Sequence, residues 1–444
     1  MRRLLREADF LKWLYPGIHI KRWLALLVIA VGVMTLGLSY VLREAYISGF
    51  TFPAPFYYIT LQFIPRYVRG AAFIGGSLAL VVFALWRLNA TILAAVVPQR
   101  GDESLVNLLY HQRSLRRGPR VVAIGGGTGL STLLRGLKEH TSNLTAIVTV
   151  ADDGGSSGRL RRELGVLPPG DLRNCIAAMA DAEPLMTRLF QYRFNEGSGL
   201  AGHSFGNLFI VAMSGVTGSF EEAIRHTSRV LAVRGQILPS TLANVTLYAR
   251  TEDERTISGE SNISAARSRL REVYLQPAAV QAYPEAIRAI LDADLVVVGP
   301  GSLFTSVLPN LLVEGVRRAL LVSNAAKVYV CNVATQPGET DSFTVGDHLA
   351  ALERHVAKGL FQFVLANSNP RPVHLASNRP SAPVSVGGPL DGARLILTDV
   401  VSDENPYHHD AKKLAAAVMR IYLERDQLDQ SAAVSFRQET ASAL

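Results

Sequence analysis

The sequence predicts an α/β protein: a Rossmann-like, doubly wound, mostly parallel sheet, preceded by a two-helix transmembrane hairpin. Three observations predict it. Short β-branched runs such as Val121–Ile124 and Leu295–Val298 alternate with helix-length segments, which is the pattern of βαβ units. Two of these runs enter glycine-rich turns, Gly125–Gly129 and Gly299–Gly301, that lead into helices. Two uncharged apolar stretches, Leu24–Leu42 and Ala71–Trp86, lie near the start of the chain.

The hairpin is expected to span about 24–42 and 69–88, within an anchor of residues 1–98. A mean hydropathy of +0.19 is high for a wholly soluble chain. Residues 1–120 hold 15 of the 45 Lys and Arg and 5 of the 37 Asp and Glu, so the basic excess sits there. Arg2, Arg3, Arg6, Lys12, Lys21 and Arg22 precede the first stretch, and Arg87, Arg100, Arg113, Arg116, Arg117 and Arg120 follow the second. That bias places both termini in the cytoplasm, as a multi-pass protein of the cell membrane. The remaining chain is near neutral, which argues against a nucleic-acid partner.

Gln99–Pro119 reads as a linker, 120–425 as the main domain and 426–444 as a flexible tail. Within the domain, strands are expected at Arg120–Ile124, Leu144–Val150, Leu295–Val298, Val328–Val333, Phe361–Ala366 and Leu395–Val400. Val245–Arg250 and Thr256–Glu260 read as a short antiparallel excursion, and one helix is expected over Leu303–Arg318. Cys175 and Cys331 lie in apolar stretches and read as core thiols.

The chemistry concentrates in the loops. Gly126, Gly127, Thr128, Gly129 and Leu130 join a strand to a helix, where glycines admit an anion to the helix N-terminus. The dinucleotide fingerprint fails, because the third glycine position falls on Leu130 or Thr132, and no Gly-Lys-Ser/Thr follows for a P-loop. Asp152, Asp153, Gly154, Gly155 and Ser156 follow the second strand, at the sheet edge where such folds bind ligands. Asp152 and Asp153 are candidate Mg²⁺ ligands, because Mg²⁺ commonly takes one or two carboxylates plus phosphate oxygens. Asp171 is placed to cap a helix, while Arg173 and Asn174 are either ligand contacts or a polar surface face. His203 and Asn207 lie four apart on one helix face, as ligand contacts or as hydrogen-bonded core groups. Gly301 and Ser302 repeat the strand–glycine–helix design, and Thr335 and Gln336 reach the same edge. His408, His409 and Asp410 precede the last helix without zinc spacing.

In order along the chain, GGGTGLSTLLRGLK, TVADDGGSSGRLR, PPGDLRN, GHSFGNL, VVVGPGSLFTSVLPNLL and NVATQPGET closely resemble the YvcK family of bacterial gluconeogenesis factors. These are relatives of the CofD enzymes, which transfer 2-phospholactate onto a deazaflavin, and the resemblance covers about 120–425. It implies a Rossmann-like fold, binding of UDP-sugars, notably UDP-N-acetylglucosamine, and a role in cell shape and carbon-source adaptation. The residues just named, with His409, would line the pocket. Candidate partners are proteins of cell-wall synthesis and a second copy of the chain. The chain departs from the family in its two-span anchor and in carrying His408 where Arg is expected, which bears on the nucleotide contact.

Two functional classes follow. One is a nucleotide-sugar sensor without turnover, and the other is a CofD-type transferase using Mg²⁺. A nicotinamide enzyme is disfavoured by the failed fingerprint.

Overall fold

A computed structural model of the chain describes residues 63–96, 114–181, 184–369, 381–390 and 392–425, with scattered positions between 29 and 61. It divides into two units, Met1–Arg113 and Ser114–Leu444.

In the first unit, helix α1 (Arg66–Val96) contains the stretch expected as the second membrane span, and the first lies mostly outside the described residues. No helix among the described residues is long and apolar enough to cross a membrane. This overturns the transmembrane hairpin and the multi-pass membrane placement built on it. Gly70, Gly75, Gly76 and Ser77 bring little apolar surface to the first half of this helix. The expected tail lies outside the described residues.

The second unit is organised by seven parallel strands. These are β1 (Val121–Gly125), β2 (Leu144–Val148), β3 (Gln236–Pro239), β7 (Leu295–Val298), β8 (Ala326–Val330), β9 (Phe363–Asn367) and β10 (Arg394–Thr398). Their order is β10-β9-β8-β7-β1-β2-β3, and every neighbouring pair is parallel. Side chains of β1 alternate between two apolar layers: Val122 and Ile124 pack into one, Val121 and Ala123 into the other. A sheet covered on both faces explains why β1 and β7 are buried throughout and read as unbroken apolar runs. Strand order reverses direction around β1 and β7, which creates a crevice at their carboxyl ends.

Helices α2 (Gly127–Leu137), α3 (Gly155–Leu164), α4 (Gly170–Met179), α5 (Pro184–Gln191), α6 (Phe205–Thr217) and α7 (Phe220–Val230) fall between β1 and β3. A second, antiparallel sheet comprises β4 (Thr246–Thr251), β5 (Thr256–Ser258) and β6 (Leu270–Gln276), with α8 (Glu260–Ala266) in the β5–β6 connection. This is the expected excursion, completed by β6. Its strand β4 buries alternate residues Leu247, Ala249 and Thr251, as a sheet covered on one side does. Helix α9 (Pro284–Leu291) returns the chain to β7.

The single helix expected over Leu303–Arg318 is broken. It forms a π-helical turn (Leu303–Val307), a short α10 (Leu308–Leu311) and α11 (Glu314–Val322). Pro309 sits in the first turn of α10, and Val313 is extended at ψ 111°, which separates α10 from α11. Helix α12 (Val345–His355) opens with a capping box of Thr344 and Asp347, and a final helix, α13, covers 411–425.

Residues Ser114–Pro119, expected as linker, pack on the second unit. Leu115 is buried, the Thr141 hydroxyl donates to Pro119 O at 2.9 Å, and Asn143 Nδ2 donates to Gly118 O at 2.7 Å.

Candidate functional site

A cavity of about 860 Å³ opens at the carboxyl ends of β1, β7 and β8. Its floor is two glycine turns in direct contact. A Cβ on Gly129 would lie 2.5 Å from Pro300 O, and one on Gly126 would lie 2.5 Å from Asp171 Oδ2. Only residues without a side chain allow this approach. Gly127 has φ +63° with nothing nearer to its Cβ position than Ser306 Oγ at 3.7 Å, so its free face opens on the cavity.

Side-chain amides hold both turns. Asn310, fully buried, donates from Nδ2 to Gly125 O at 3.0 Å. Asn332 accepts from Gly301 N at 3.1 Å and donates to Gly301 O at 2.8 Å, locking the second turn from both sides. Ser302 caps the π-helical turn by accepting from Thr305 N.

The far walls come from three other loops. Thr335 and Gln336 follow β8, Asn405 to His409 precede α13, and Ser264 and Arg267 come from α8 and its C-terminal end. His409 lies against Cys331 O at 3.2 Å, and burial pushes its imidazole down to about 4, so it is neutral at pH 7. Glu339 is 6% exposed and accepts from the hydroxyls of Ser302, Ser264 (3.3 Å) and Thr305 (3.5 Å). Burial raises its carboxyl, against the lowering effect of those hydroxyls.

Beside the first turn lies a carboxyl cluster. Burial, and then the charge of Asp152, push Asp171 up to about 7 and Glu260 up to about 8. Asp171 accepts from the backbone of Gly127, which couples this cluster to the cavity floor. Asp152 accepts from Gly154 N at 2.9 Å, and Asp153 accepts from Ser261 N at 2.9 Å and Ser261 Oγ at 2.7 Å. Next to it Ser156, His203 and Asn207 form a buried polar knot: Ser156 Oγ is 2.9 Å from His203 Nδ1 and accepts from Asn207 Nδ2 at 3.1 Å. Arg173 donates from Nη2 to Asn174 Oδ1 at 2.8 Å.

With this geometry, the family comparison is decisive. The model described as 2-phospho-L-lactate transferase CofD matches residues 121–422. A putative gluconeogenesis factor of Nostoc sp. is 45% identical over 94% of this chain and 93% of its own length. The gluconeogenesis factor of Bacillus subtilis is 46% identical over 69% of this chain and 99% of its own. The chain belongs to the CofD-like family of gluconeogenesis factors. A crystal structure of a Bacillus halodurans protein, 44% identical, covers 68% of the chain and all of its own with a TM-score of 0.66.

Within this CofD-like domain the expected site residues divide in two. Gly126, Gly127, Thr128, Gly129, Gly301, Ser302, Thr335, Gln336 and His409 line the cavity. Leu130 is fully buried in the core beneath the first turn. Asp152, Asp153, Gly154, Gly155, Ser156, Asp171, Arg173, Asn174, His203 and Asn207 do not line it; they form the carboxyl cluster and polar knot beside the first turn. Glu339, Thr132, Ser306 and His408 also line the cavity from within segments that the sequence singled out. Ser264, Arg267, Asn405 and Tyr407 lie in stretches that carried no glycine or motif signal.

Among the described residues no group of three or more His, Cys, Asp or Glu could hold a metal ion. Asp152 accepts from the turn that follows it, at Gly154, and Asp153 accepts from the first turn of α8, at Ser261.

Proposed function

We propose that the cavity binds a nucleotide sugar through its diphosphate, and that the ligand is UDP-N-acetylglucosamine. The observation that carries the reading is the pair of interlocked glycine turns flooring a cavity of about 860 Å³. Each turn leads into helical structure, whose N-terminal end favours an anion. The volume falls in the usual range for small-molecule sites. Relatives named gluconeogenesis factors support a regulatory role, and the chain is proposed to adjust cell-wall precursor metabolism and cell shape to the carbon source. Calorimetry of the full chain with UDP-N-acetylglucosamine tests the ligand. Saturable one-to-one binding is expected, and no heat at millimolar ligand would sink the reading.

The second reading is a CofD-type transfer of a phosphate-linked group. One observation favours it: Asp171, held at about 7, is a carboxyl that can exchange a proton at neutral pH beside the first turn. Turnover of the ligand separates it from the first.

A further inference from the structure

We propose that Arg267 is the cationic contact for the ligand's diphosphate, delivered by the small antiparallel sheet, and that Glu339 is the residue that positions it. The inference rests on the diphosphate reading of the cavity. It starts from charge. Among the described lining residues Arg267 is the one Lys or Arg, and His409 is neutral. Arg267 is exposed, and no ion pair engages it among the described residues. A planar guanidinium with five donors suits a diphosphate, whose oxygens can accept two parallel bonds.

The backbone is built to hold it there. Arg267 terminates α8 at φ +47°, a conformation unfavourable for a residue with a Cβ. A Cβ on Gly338 would fall 2.2 Å from Arg267 Cα, so the loop after β8 is pressed directly on this residue. One residue later, Glu339 binds Ser264, a turn before Arg267, and at the same time Ser302 and Thr305 of the second glycine turn. A single carboxylate therefore ties the arm that carries the arginine to the floor that carries the phosphate amides. Removing it should let the arm shift while both halves stay folded.

The test is calorimetry of the full chain with two probes, UDP-N-acetylglucosamine and inorganic pyrophosphate. Arg267→Gln should weaken both by roughly 10- to 100-fold, the range for a lost charged hydrogen bond, and Arg267→Lys should recover only part. Glu339→Gln should weaken binding in the native background but add nothing in the Arg267→Gln background, because it acts through the arginine. Unchanged affinity in Arg267→Gln overturns the contact, and an additive loss in the double variant overturns the positioning role. Native protein that binds pyrophosphate and not the nucleotide sugar defeats the ligand assignment, and Arg267 is then judged on pyrophosphate. Binding of neither probe overturns both.

Discussion

Gly129 and Pro300 meet backbone to backbone: a Cβ on the glycine would lie 2.5 Å from the Pro300 carbonyl oxygen and 2.7 Å from its carbon. The turn after β1 and the turn after β7 are 170 residues apart in sequence yet form one surface. Parallel pairing of β1 with β7 brings their carboxyl ends level, and the absence of a side chain lets the turns close. The cavity floor is thus a property of the pair, and neither loop makes it alone.

Gly129→Ala should therefore cost stability, because the Pro300 backbone cannot retreat without moving β7. Overpacking of this kind typically costs about 1–3 kcal/mol. Gly125→Ala is the matched control. Its Cβ would meet Leu130 Cβ at 3.6 Å, an ordinary contact, so a change within about 1 kcal/mol is expected. Urea unfolding of both variants gives the comparison, and equal midpoints would contradict the contact.

Gly127→Val tests the cavity itself. At φ +63° a β-branched residue is strained by roughly 1–2 kcal/mol, and its side chain would enter the space left open on that face. Nucleotide-sugar binding should vanish while the unfolding transition remains cooperative. A folded variant with native affinity would remove the phosphate from this turn.

Most of the sheet was legible because parallel strands covered on both faces leave unmistakable apolar runs, as at Val121–Ile124 and Leu295–Val298. Strand β3 was not, since an edge strand of four residues ending in Pro239 carries little pattern. The glycine turns were legible as site elements, and both line the cavity. Arg267 was not, because its role depends on where the small sheet folds back, and Ser261–Arg267 holds no glycine or phosphate-loop spacing. The apolar content of Ala71–Trp86 pointed to a span, whereas no helix among the described residues is long and apolar enough to cross a membrane. The expected set also merged two neighbouring groups. Loops at one sheet edge converge, but sequence order does not say which side chains face the cavity and which, like His203 and Asn207, turn inward to each other.

Stability should fall between mildly acidic and mildly alkaline pH. Burial first, and Asp152 next, raise Asp171 to about 7 and Glu260 to about 8, against about 4 in an unfolded chain. Between those values the folded state holds more protons than the unfolded one, so rising pH favours unfolding, and the effect is complete above the folded pKa. Asp171→Asn retains an acceptor for Gly127 N–H and removes the titration. Its urea midpoint should change less between pH 5 and pH 8.5 than that of the native protein, and likewise for Glu260→Gln. Parallel declines in all three proteins would reject the assignment.

Chelation separates two roles for Asp152 and Asp153. Asp152 stabilises the turn that follows it through Gly154, and Asp153 ties its loop to the start of α8 through Ser261. On that basis EDTA should leave nucleotide-sugar affinity unchanged, while Asp152→Asn, by loosening the turn beside the cavity floor, should weaken it several-fold. An EDTA-sensitive affinity that loses its sensitivity in Asp152→Asn would instead make the pair a Mg²⁺ site.

Finally, the ligand should survive prolonged incubation with the protein. The two thiols are unsuited to attack: burial pushes Cys331 up to about 12 and Cys175 well above its ordinary value, and both are enclosed in the core. Ser156 and His203 are within hydrogen-bonding distance, but both are buried and neither lines the cavity. Within the cavity the Ser302 hydroxyl donates to Glu339, a carboxylate that also accepts from Ser264 and Thr305. Asp171, the group best matched to proton transfer near pH 7, stands behind the Gly126–Gly127 backbone and does not line the cavity. Binding without consumption is the outcome expected of the proposed sensor. Mass spectrometry after incubation of a large molar excess of UDP-N-acetylglucosamine with the full chain, with and without phosphate-bearing acceptors and Mg²⁺, should return the ligand intact. Multiple turnovers abolished by Asp171→Asn would show that the carboxyl reaches the substrate, and would establish the transferase reading in place of the sensor.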